Sequence, residues 1–463
     1  MGRNEEVKGD MNAPDYLETV SRFAAALSFD DLPSDVVDRA LEVTADTMAV
    51  IAAGGREEEI RNLTADLVGE GRDGPATLLT DGQKAPLLEA ALVNGTAGTF
   101  LELDEGNQFS RGHPAVHVVP ALLALGEALG SSGREYVAAL VAGYEIGSRI
   151  GIAAKIRMTM HPHGTWGTVG AAVAAGRLAG VDARGIRELI NISASLSLAT
   201  SRRTMLEGAT VRNVYSGVSN QMGLLALKLH RAGFTGESDG LQTVYGSVIS
   251  EVFEPSAMVE ELGRRFEIAR NYFKRHACCR YNHASLDVLA TIAGRFPGGR
   301  IPPEEVEEVR VETYSLAAQL CDRSPDNMLA AKFSIPFAAA TFLAHGHAGV
   351  ACFRREKVSD AAIQALADRV TVVEDPAMTA MMPDKRPSRV TVRMKDGSEH
   401  TGETDVNQGD FEAPYGPKDL VEKYHELADP VWGRERAEAV YGRVRALPHL
   451  ERLDELTAPL SRS

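Results

Sequence analysis

The segment 102–117 contains the titratable residues that most directly suggest chemistry. Three acids, Glu102, Asp104 and Glu105, follow an apolar run, and a polar loop then leads to His113, which stands immediately before a proline. A histidine where a helix begins lies at the positive end of the helix dipole, which favours the neutral, proton-accepting imidazole. The segment therefore predicts a proton-transferring histidine beside carboxylates.

Two other interpretations of this segment stay open. The acids could form a solvated turn in which His113 only caps the next helix. His113 and His117, four residues apart, could also hold a metal ion, although Pro114 and the lack of a nearby third ligand argue against it.

A second histidine-containing segment runs from Met160 to Ala172. Its glycines resemble a nucleotide-binding loop, but no predicted strand precedes them and no Lys-Ser/Thr pair follows, so close helix packing is the better interpretation. His161, where this helix begins, is the functional candidate. His163 is interpreted as a surface or capping residue.

Clustered cations form the third candidate group in a chain that is otherwise acidic. Guanidinium groups bind carboxylates through two parallel hydrogen bonds, so cations near histidines suit a di- or tricarboxylate substrate. Surface ion pairing is the alternative for any single arginine. The group comprises Arg202, Arg203, Arg212, Lys274, Arg275 and Arg280, with His276 and His283 beside them. The adjacent Cys278 and Cys279 are predicted to be small buried residues.

Helical periodicity dominates the elements that must position these groups. Apolar residues recur at three- and four-residue spacing from about residue 15 to 240, and the chain is helical again after 417. Strand patterns occur at Val306–Thr313, Val370–Val373 and Val390–Met394, the last followed by a Lys-Asp-Gly-Ser turn signal. We expect a mainly α protein with an all-helical domain (12–268 and 408–463) and a smaller inserted α+β domain (269–407).

Composition narrows the possible partners and location. The 463 residues carry 49 Lys+Arg and 64 Asp+Glu, and the net charge of −15 argues against nucleic-acid or anionic-membrane partners. The four cysteines form no Cys-x-x-Cys pair and the first residues do not resemble an export signal, so a reduced cytoplasmic protein is expected. The most apolar window, Phe333–Cys352, contains Pro336 and two histidines and predicts a buried helix.

Taken in order, the motifs resemble the MmgE/PrpD family, which includes 2-methylcitrate dehydratase, cis-aconitate decarboxylase and iminodisuccinate epimerase. The resemblance spans nearly the whole chain, at 30–54, 112–125, 160–180, 211–227, 274–289, 331–346, 392–397 and 419–428. It implies a large helical domain, a smaller α+β lid, a homodimer, and catalysis between the domains without a metal or other cofactor.

The resemblance also assigns residues. The acid cluster falls on Glu102, Asp104 and Glu105, the histidine before proline on His113 and the following helix-mouth histidine on His161. The family's lysine falls on Arg212 and its histidine at the lid entry on His283. The chain departs from the family at Gly106, where a threonine is common, and at Arg212, Tyr215 and Phe337. These departures weaken the case for 2-methylcitrate as the substrate.

These residues suggest a hydro-lyase or decarboxylase that acts on a small di- or tricarboxylic acid. A proton beside a carboxylate is a weak acid, so its transfer needs a positioned base and cations that stabilise the developing charge. We expect Asp104, His113, His161 and Arg212 to be catalytic, and Glu102, Lys274, Arg280 and His283 to bind the substrate. A dicarboxylate epimerase or racemase and a non-catalytic carboxylate-binding protein are the alternatives.

Overall fold

Helices make up most of the computed structural model, which describes residues 15–69 and 73–461. The helices are α1 (Tyr16–Ala26), α2 (Ser34–Gly54), α3 (Glu58–Leu67), α4 (Leu87–Phe100), α5 (Pro114–Leu129), α6 (Gly133–Ala153), α7 (Trp166–Leu178), α8 (Ala183–Ser195), α9 (Arg203–Leu206), α10 (Val214–Arg231), α11 (Gly240–Thr243), α12 (Pro255–Val259), α13 (Arg280–Ala293), α14 (Ser315–Ala318), α15 (Met328–Lys332), α16 (Ile335–His345), α17 (Arg355–Val358), α18 (Ala361–Ala367), α19 (Pro376–Thr379), α20 (Pro417–Trp432), α21 (Arg434–Arg445) and α22 (Asp454–Thr457). The prediction of a mainly α protein is confirmed.

Strands are short and fall into three groups. They are β1 (Ala76–Thr77), β2 (Lys84–Ala85), β3 (Ala154–Ile156), β4 (Ser250–Phe253), β5 (Val306–Thr313), β6 (Val370–Glu374), β7 (Ser388–Met394) and β8 (Glu399–Thr404). β1 pairs with β2 and β3 with β4, both antiparallel. The other four form one mixed sheet in the order β6-β5-β7-β8, in which β5 and β6 are parallel.

The sheet confirms the three strand patterns and the hairpin. β7 and β8 pair antiparallel from Ser388–Thr404 to Arg393–Glu399, and Gly397 in the turn has φ of 85°. A positive φ is the conformation that glycine adopts without a steric penalty. Helices α13 and α16 contact the sheet. The N-terminal part is not wholly helical as predicted, because it contains the two small ribbons.

Several helices of the core pack with their backbones close together. α4, α5, α7 and α10 contact one another, and their buried faces are rich in alanine and glycine. At Gly143 on α6, a Cβ atom would lie 2.5 Å from the Ala174 Cβ and from the Gly170 carbonyl oxygen of α7. A Cβ at Gly170 of α7 would likewise lie 2.9 Å from the Gly143 carbonyl oxygen, so these glycines allow α6 and α7 to pack closely, as the sequence indicates.

The last long helices return to the N-terminal ones. α20 packs on α2, where the buried Lys423 Nζ lies 2.6 Å from Asp46 Oδ1. The predicted boundaries at 268/269 and 407/408 remain a prediction. In the part of the chain that the structure describes, no helix has the length and apolar character needed to cross a bilayer.

Candidate active site

The acid cluster lies in the loop after α4, and two buried lysines hold the backbone at the start of this loop. α4 ends at Phe100, whose carbonyl accepts a hydrogen bond from Lys332 Nζ at 2.7 Å, and the Leu103 carbonyl accepts one from Lys423 Nζ at 2.9 Å. Lysines thus satisfy carbonyls that a helix end leaves free. Between them Glu102 has φ of 56°, a left-handed conformation that costs a non-glycine residue free energy.

Two buried ion pairs hold the acids in place. Glu102 pairs with Arg212, and Asp104 Oδ1 accepts a hydrogen bond from Lys274 Nζ at 3.0 Å. All four side chains are almost completely buried. Burial opposes ionisation of Asp104, but the positive charges of Lys274 and Arg212 outweigh it and hold the pKa of that carboxyl below its usual range.

His113 occupies the N-cap position of α5 without capping it. Its side chain makes no cap hydrogen bond; instead Nδ1 lies 2.7 Å from the Glu105 carbonyl oxygen and 3.1 Å from Asp104 Oδ2. Because a carbonyl only accepts, Nδ1 carries the hydrogen and Nε2 is left as the acceptor. Burial lowers the pKa of His113 to about 3 despite the opposing charge of Asp104. The structure therefore presents a neutral base, and the capping interpretation fails.

Glu105 fixes the loop against the helices. Its carboxyl accepts hydrogen bonds from the Tyr144 hydroxyl and from the Ala115 backbone N–H, the latter at 3.2 Å. Burial raises the pKa of Glu105 to about 8. It is thus a structural acid that positions the carbonyl to which His113 is bound.

Both ring nitrogens of His117 make hydrogen bonds to the backbone of the protein. Nδ1 donates to the His113 carbonyl at 2.7 Å, and Nε2 accepts from the Gly164 backbone N–H at 3.4 Å. The metal pair of His113 and His117 is therefore not formed. His117 instead ties the start of α5 to the loop before α7.

His161 and His163 lie in that loop, and the prediction for His163 is wrong. It is 1% exposed, neither ring nitrogen has a hydrogen-bond partner, and its ring centroid lies 4.8 to 4.9 Å from those of His113, His117 and His161. The histidine segments converge in space, which a pattern of neighbouring residues does not reveal. His161 faces N–H donors at both nitrogens, from His163 N at 3.1 Å and Arg212 Nε at 3.4 Å. Burial and Arg212 lower the pKa of His161 well below its usual value.

These buried neutral histidines predict a pH-dependent stability. Burial lowers the pKa of His117 to about 4, so between pH 6.5 and 5 the unfolded chain binds protons that the folded protein does not. The free energy of unfolding should therefore fall as pH is lowered through this window, by up to about 1.4 kcal/mol per pH unit for each such histidine. Glu105 acts in the opposite sense, because it is protonated in the folded protein and ionised in the unfolded chain.

The His117→Gln variant isolates this effect. It removes one proton-binding group from the unfolded chain, so its unfolding free energy should vary less steeply between pH 6.5 and 5 than that of the wild type. Urea denaturation at pH 5, 6 and 7 measures the difference. Parallel curves for the two proteins would show that His117 titrates normally in the folded state.

Most of the predicted site residues line one cavity or lie directly behind its lining. Glu102, His113, His161, Arg212 and Arg280 line it, with Asp104 and Lys274 directly behind through their contacts to His113 and Glu102. The further lining residues are Arg111, Gly112, Met160, Pro162, His163, Arg202, Met205, Tyr272, Cys279, Tyr281, Phe333 and Arg386.

His283, like Asp104 and Lys274, does not line the cavity, and it contacts Arg280 instead. Its Nδ1 lies 3.0 Å from Arg280 Nη1 and its Nε2 3.3 Å from the Cys278 carbonyl oxygen, so it supports Arg280. Cys279, four residues earlier, lines the cavity instead. Burial raises the pKa of its thiol to about 11. Both cysteines are buried, as predicted.

Tyr272 explains the glycine at position 106. Gly106 and Tyr272 exchange backbone hydrogen bonds of 3.0 and 2.7 Å, and a Cβ at Gly106 would overlap the Tyr272 Cζ and hydroxyl. The tyrosine ring thus fills the space that a threonine at 106 would need. Sequence patterns gave no signal for this pairing, because the two residues are 166 positions apart (272 − 106).

The variant Gly106→Thr should therefore lower the free energy of unfolding by about 1–3 kcal/mol, the usual cost of overpacking. The matched experiment repeats the substitution in a Tyr272→Ala background, where the overlap with the ring is gone and only the Gly112 carbonyl oxygen, 2.9 Å from the added Cβ, still crowds it, so the threonine should cost less. Urea denaturation of the four proteins measures both costs. Equal costs in the two backgrounds would mean that the ring does not set the choice of glycine.

Asp104, His113 and His163 are the residues best suited by type to hold a metal. Their ligand atoms lie within 4.8 Å of one another. Asp104 Oδ2 and both ring nitrogens of His163 make no hydrogen bond, whereas His113 Nδ1 is bound to the Glu105 carbonyl. A cation held by Asp104 would lie beside the Lys274 ammonium group, which donates to Asp104 Oδ1. The positive charge of Lys274 therefore opposes a metal ion at this place.

Comparison with known proteins bears directly on this arrangement. The chain matches the MmgE/PrpD N-terminal domain over residues 18–256 and the MmgE/PrpD C-terminal domain over residues 276–446. It belongs to the MmgE/PrpD family. The family resemblance of the motifs is confirmed, and the cavity draws its lining from both matched segments of this MmgE/PrpD protein.

Several curated relatives of the chain are cis-aconitate decarboxylases. A cis-aconitate decarboxylase of Aspergillus terreus is 23% identical over 463 residues, covering 94% of this chain and 94% of its own. Cis-aconitate decarboxylases of Homo sapiens and Mus musculus are 26% and 25% identical; each alignment covers 81% of this chain, with 80% and 78% of the respective relative.

Proposed function

We propose that this MmgE/PrpD protein is a lyase that decarboxylates a small unsaturated tricarboxylic acid. The observation that carries the proposal is His113, a neutral imidazole held through Nδ1 with Nε2 free, in a cavity lined by five arginines. The relatives are cis-aconitate decarboxylases, which favours decarboxylation over the dehydration and epimerisation that the same groups could perform.

The reaction would consume one proton for each carbon dioxide released. The bond to the departing carboxylate breaks, its electron pair forms a new double bond, and a proton adds at the far end of the original double bond. Cations around the cavity stabilise the charge that develops on the remaining carboxylates.

His113 is the better placed of the two predicted proton carriers. Nε2 of His161 accepts a hydrogen bond from Arg212 Nε. The His113 ring is held through Nδ1, which leaves its Nε2 available to the substrate. An anionic substrate would raise the pKa of His113, and Asp104, 3.1 Å from Nδ1, would stabilise the imidazolium so formed. The proton would then pass from Nε2 to the substrate carbon.

The remaining features of the proposal extend the same scheme. They are catalysis without a metal or organic cofactor, a lid formed by residues 269–407 that excludes water, a homodimer, and a cytoplasmic location. Closure would strengthen the charge interactions by lowering the local dielectric constant.

Proton NMR in D₂O tests the reaction directly. The purified protein is incubated with cis-aconitate, citrate, 2-methylcitrate, malate and aspartate-derived acids. Loss of cis-aconitate with new methylene signals and one deuterium in the product is the expected result. A vinylic product formed from citrate or malate without carbon dioxide would indicate a hydro-lyase, and deuterium exchange alone an epimerase. No change in any acid would contradict the enzymatic proposal.

A further inference from the structure

The cations around the cavity fall into two groups according to their partners. Arg212 pairs with Glu102, and Arg280 pairs with Asp410. Lys274, behind the lining, donates to Asp104. These three cations, which the sequence predicts as catalytic (Arg212) or substrate-binding (Lys274 and Arg280), are already neutralised by carboxylates of the protein.

Three other arginines, Arg111, Arg202 and Arg386, have no such partner. Within residues 15–69 and 73–461, no carboxylate oxygen lies within 4.0 Å of any of them. Their hydrogen bonds are long and go to uncharged oxygens: Ala154 O at 3.4 Å, Gln319 Oε1 at 3.5 Å and Gln108 O at 3.3 Å, respectively. The Nε atoms of Arg202 and Arg386 are buried and make no hydrogen bond at all.

Leaving Arg386 without a carboxylate partner costs the protein free energy, whereas Arg202 is half-buried and Arg111 is exposed. Arg386 is only 6% exposed, and a buried guanidinium normally has a carboxylate or a full set of acceptors. The rings of Tyr272 and Tyr281, 6.0 and 5.8 Å from its Cζ, offer limited compensation. Arg111 has φ of 58°, so its backbone is also held in a costly conformation beside the cavity.

We propose that Arg111, Arg202 and Arg386 form the carboxylate-binding site of the cavity and select a substrate with three carboxylates. Three unpaired positive charges match the three negative charges of a tricarboxylate and exceed those of a dicarboxylate. Each guanidinium keeps free N–H donors for charge-assisted hydrogen bonds. This inference rests on the proposed function for the acid that reacts, but it concerns binding alone.

Isothermal titration calorimetry with tricarballylate, a saturated tricarboxylate that has no double bond to react, tests the site without turnover. The variants Arg386→Gln and Arg202→Gln should each bind it about 10- to 100-fold more weakly than the wild type, since each loses a charge-assisted contact. Glutarate, with two carboxylates, should bind the wild type more weakly and lose less in each variant. Arg389→Gln is the control, because Arg389 lies three residues further along the chain, on β7, and pairs with the exposed Glu403.

The melting temperature of the ligand-free variants separates binding from structural support. Arg386→Gln removes an unpaired buried cation and should melt at or above the wild-type temperature, whereas loss of a structural arginine would lower it. Variant affinities within twofold of the wild type, a wild type that does not bind tricarballylate at 10 mM, or a lowered melting temperature in Arg386→Gln would overturn the inference.

The two proposals fail separately. Arginine-dependent binding of tricarballylate by a protein that turns over none of the acids would support the site and contradict the lyase. Turnover of cis-aconitate with unchanged affinities in the variants would support the lyase and overturn the site.

Discussion

The variant His113→Gln is expected to lower kcat by about 10²- to 10⁴-fold, the range that positioned general acid–base groups contribute. Glutamine can still donate to the Glu105 carbonyl, so the loop should keep its conformation while the proton carrier is lost. The substitution replaces one neutral side chain by another, because the folded His113 is uncharged at neutral pH. Folding should therefore be largely preserved.

His425→Gln provides the matched control for this result. His425 lies on α20, pairs with Asp429 at 2.8 Å and does not line the cavity, so its loss should leave kcat unchanged. Initial rates with the acid identified by NMR and thermal melts of both variants complete the comparison. A His113→Gln protein that retains a tenth or more of wild-type kcat would remove His113 from proton transfer.

Local patterns predicted the larger elements of the fold well. Val306–Thr313 alternates buried and exposed residues and is β5 with the same limits, and the Lys-Asp-Gly-Ser signal is the β7–β8 turn. The ribbons β1–β2 and β3–β4 were missed because each strand has only two to four residues. Such strands form because packing brings their segments together, and two-residue segments carry no periodicity.

The candidate site was only partly predictable for a similar reason. The segments that hold Glu102, His113 and His161 were identified because acids and histidines cluster within each one. Which cation is neutralised depends on pairs separated by 110 and 170 positions, Glu102 with Arg212 and Asp104 with Lys274. The sequence thus indicated a cationic cavity but could not separate its paired arginines from its unpaired ones.

Arg386 and His163 are two residues at the cavity that the sequence did not identify as site residues. Arg386 stands in a polar loop with no histidine or acid beside it, so no pattern marked it as a site residue. His163 is interpreted from the sequence as a surface or capping residue, because nothing in its own segment shows that three other histidines surround it. Tertiary packing buries both, and both end with unpartnered nitrogen atoms at the cavity.

The ion pair between Lys274 and Asp104 should dominate the stability of the site. In the variant Lys274→Met the buried carboxylates of Asp104 and Glu102 lose a shared cation that lies 3.0 and 3.9 Å from them. Removing one partner of a buried pair leaves an uncompensated charge, so the free energy of unfolding should fall by about 3–5 kcal/mol. Urea denaturation at pH 7.5 measures the loss.

The double variant Lys274→Met/Asp104→Asn distinguishes this mechanism from simple loss of packing. Asparagine removes the orphaned charge, so the double variant should be more stable than Lys274→Met alone, and the two substitutions should show a coupling energy of about 1–3 kcal/mol. Purely additive losses would mean that the two side chains contribute independently. The pair would then matter for packing, and the low pKa of Asp104 would depend chiefly on the other nearby cation, Arg212.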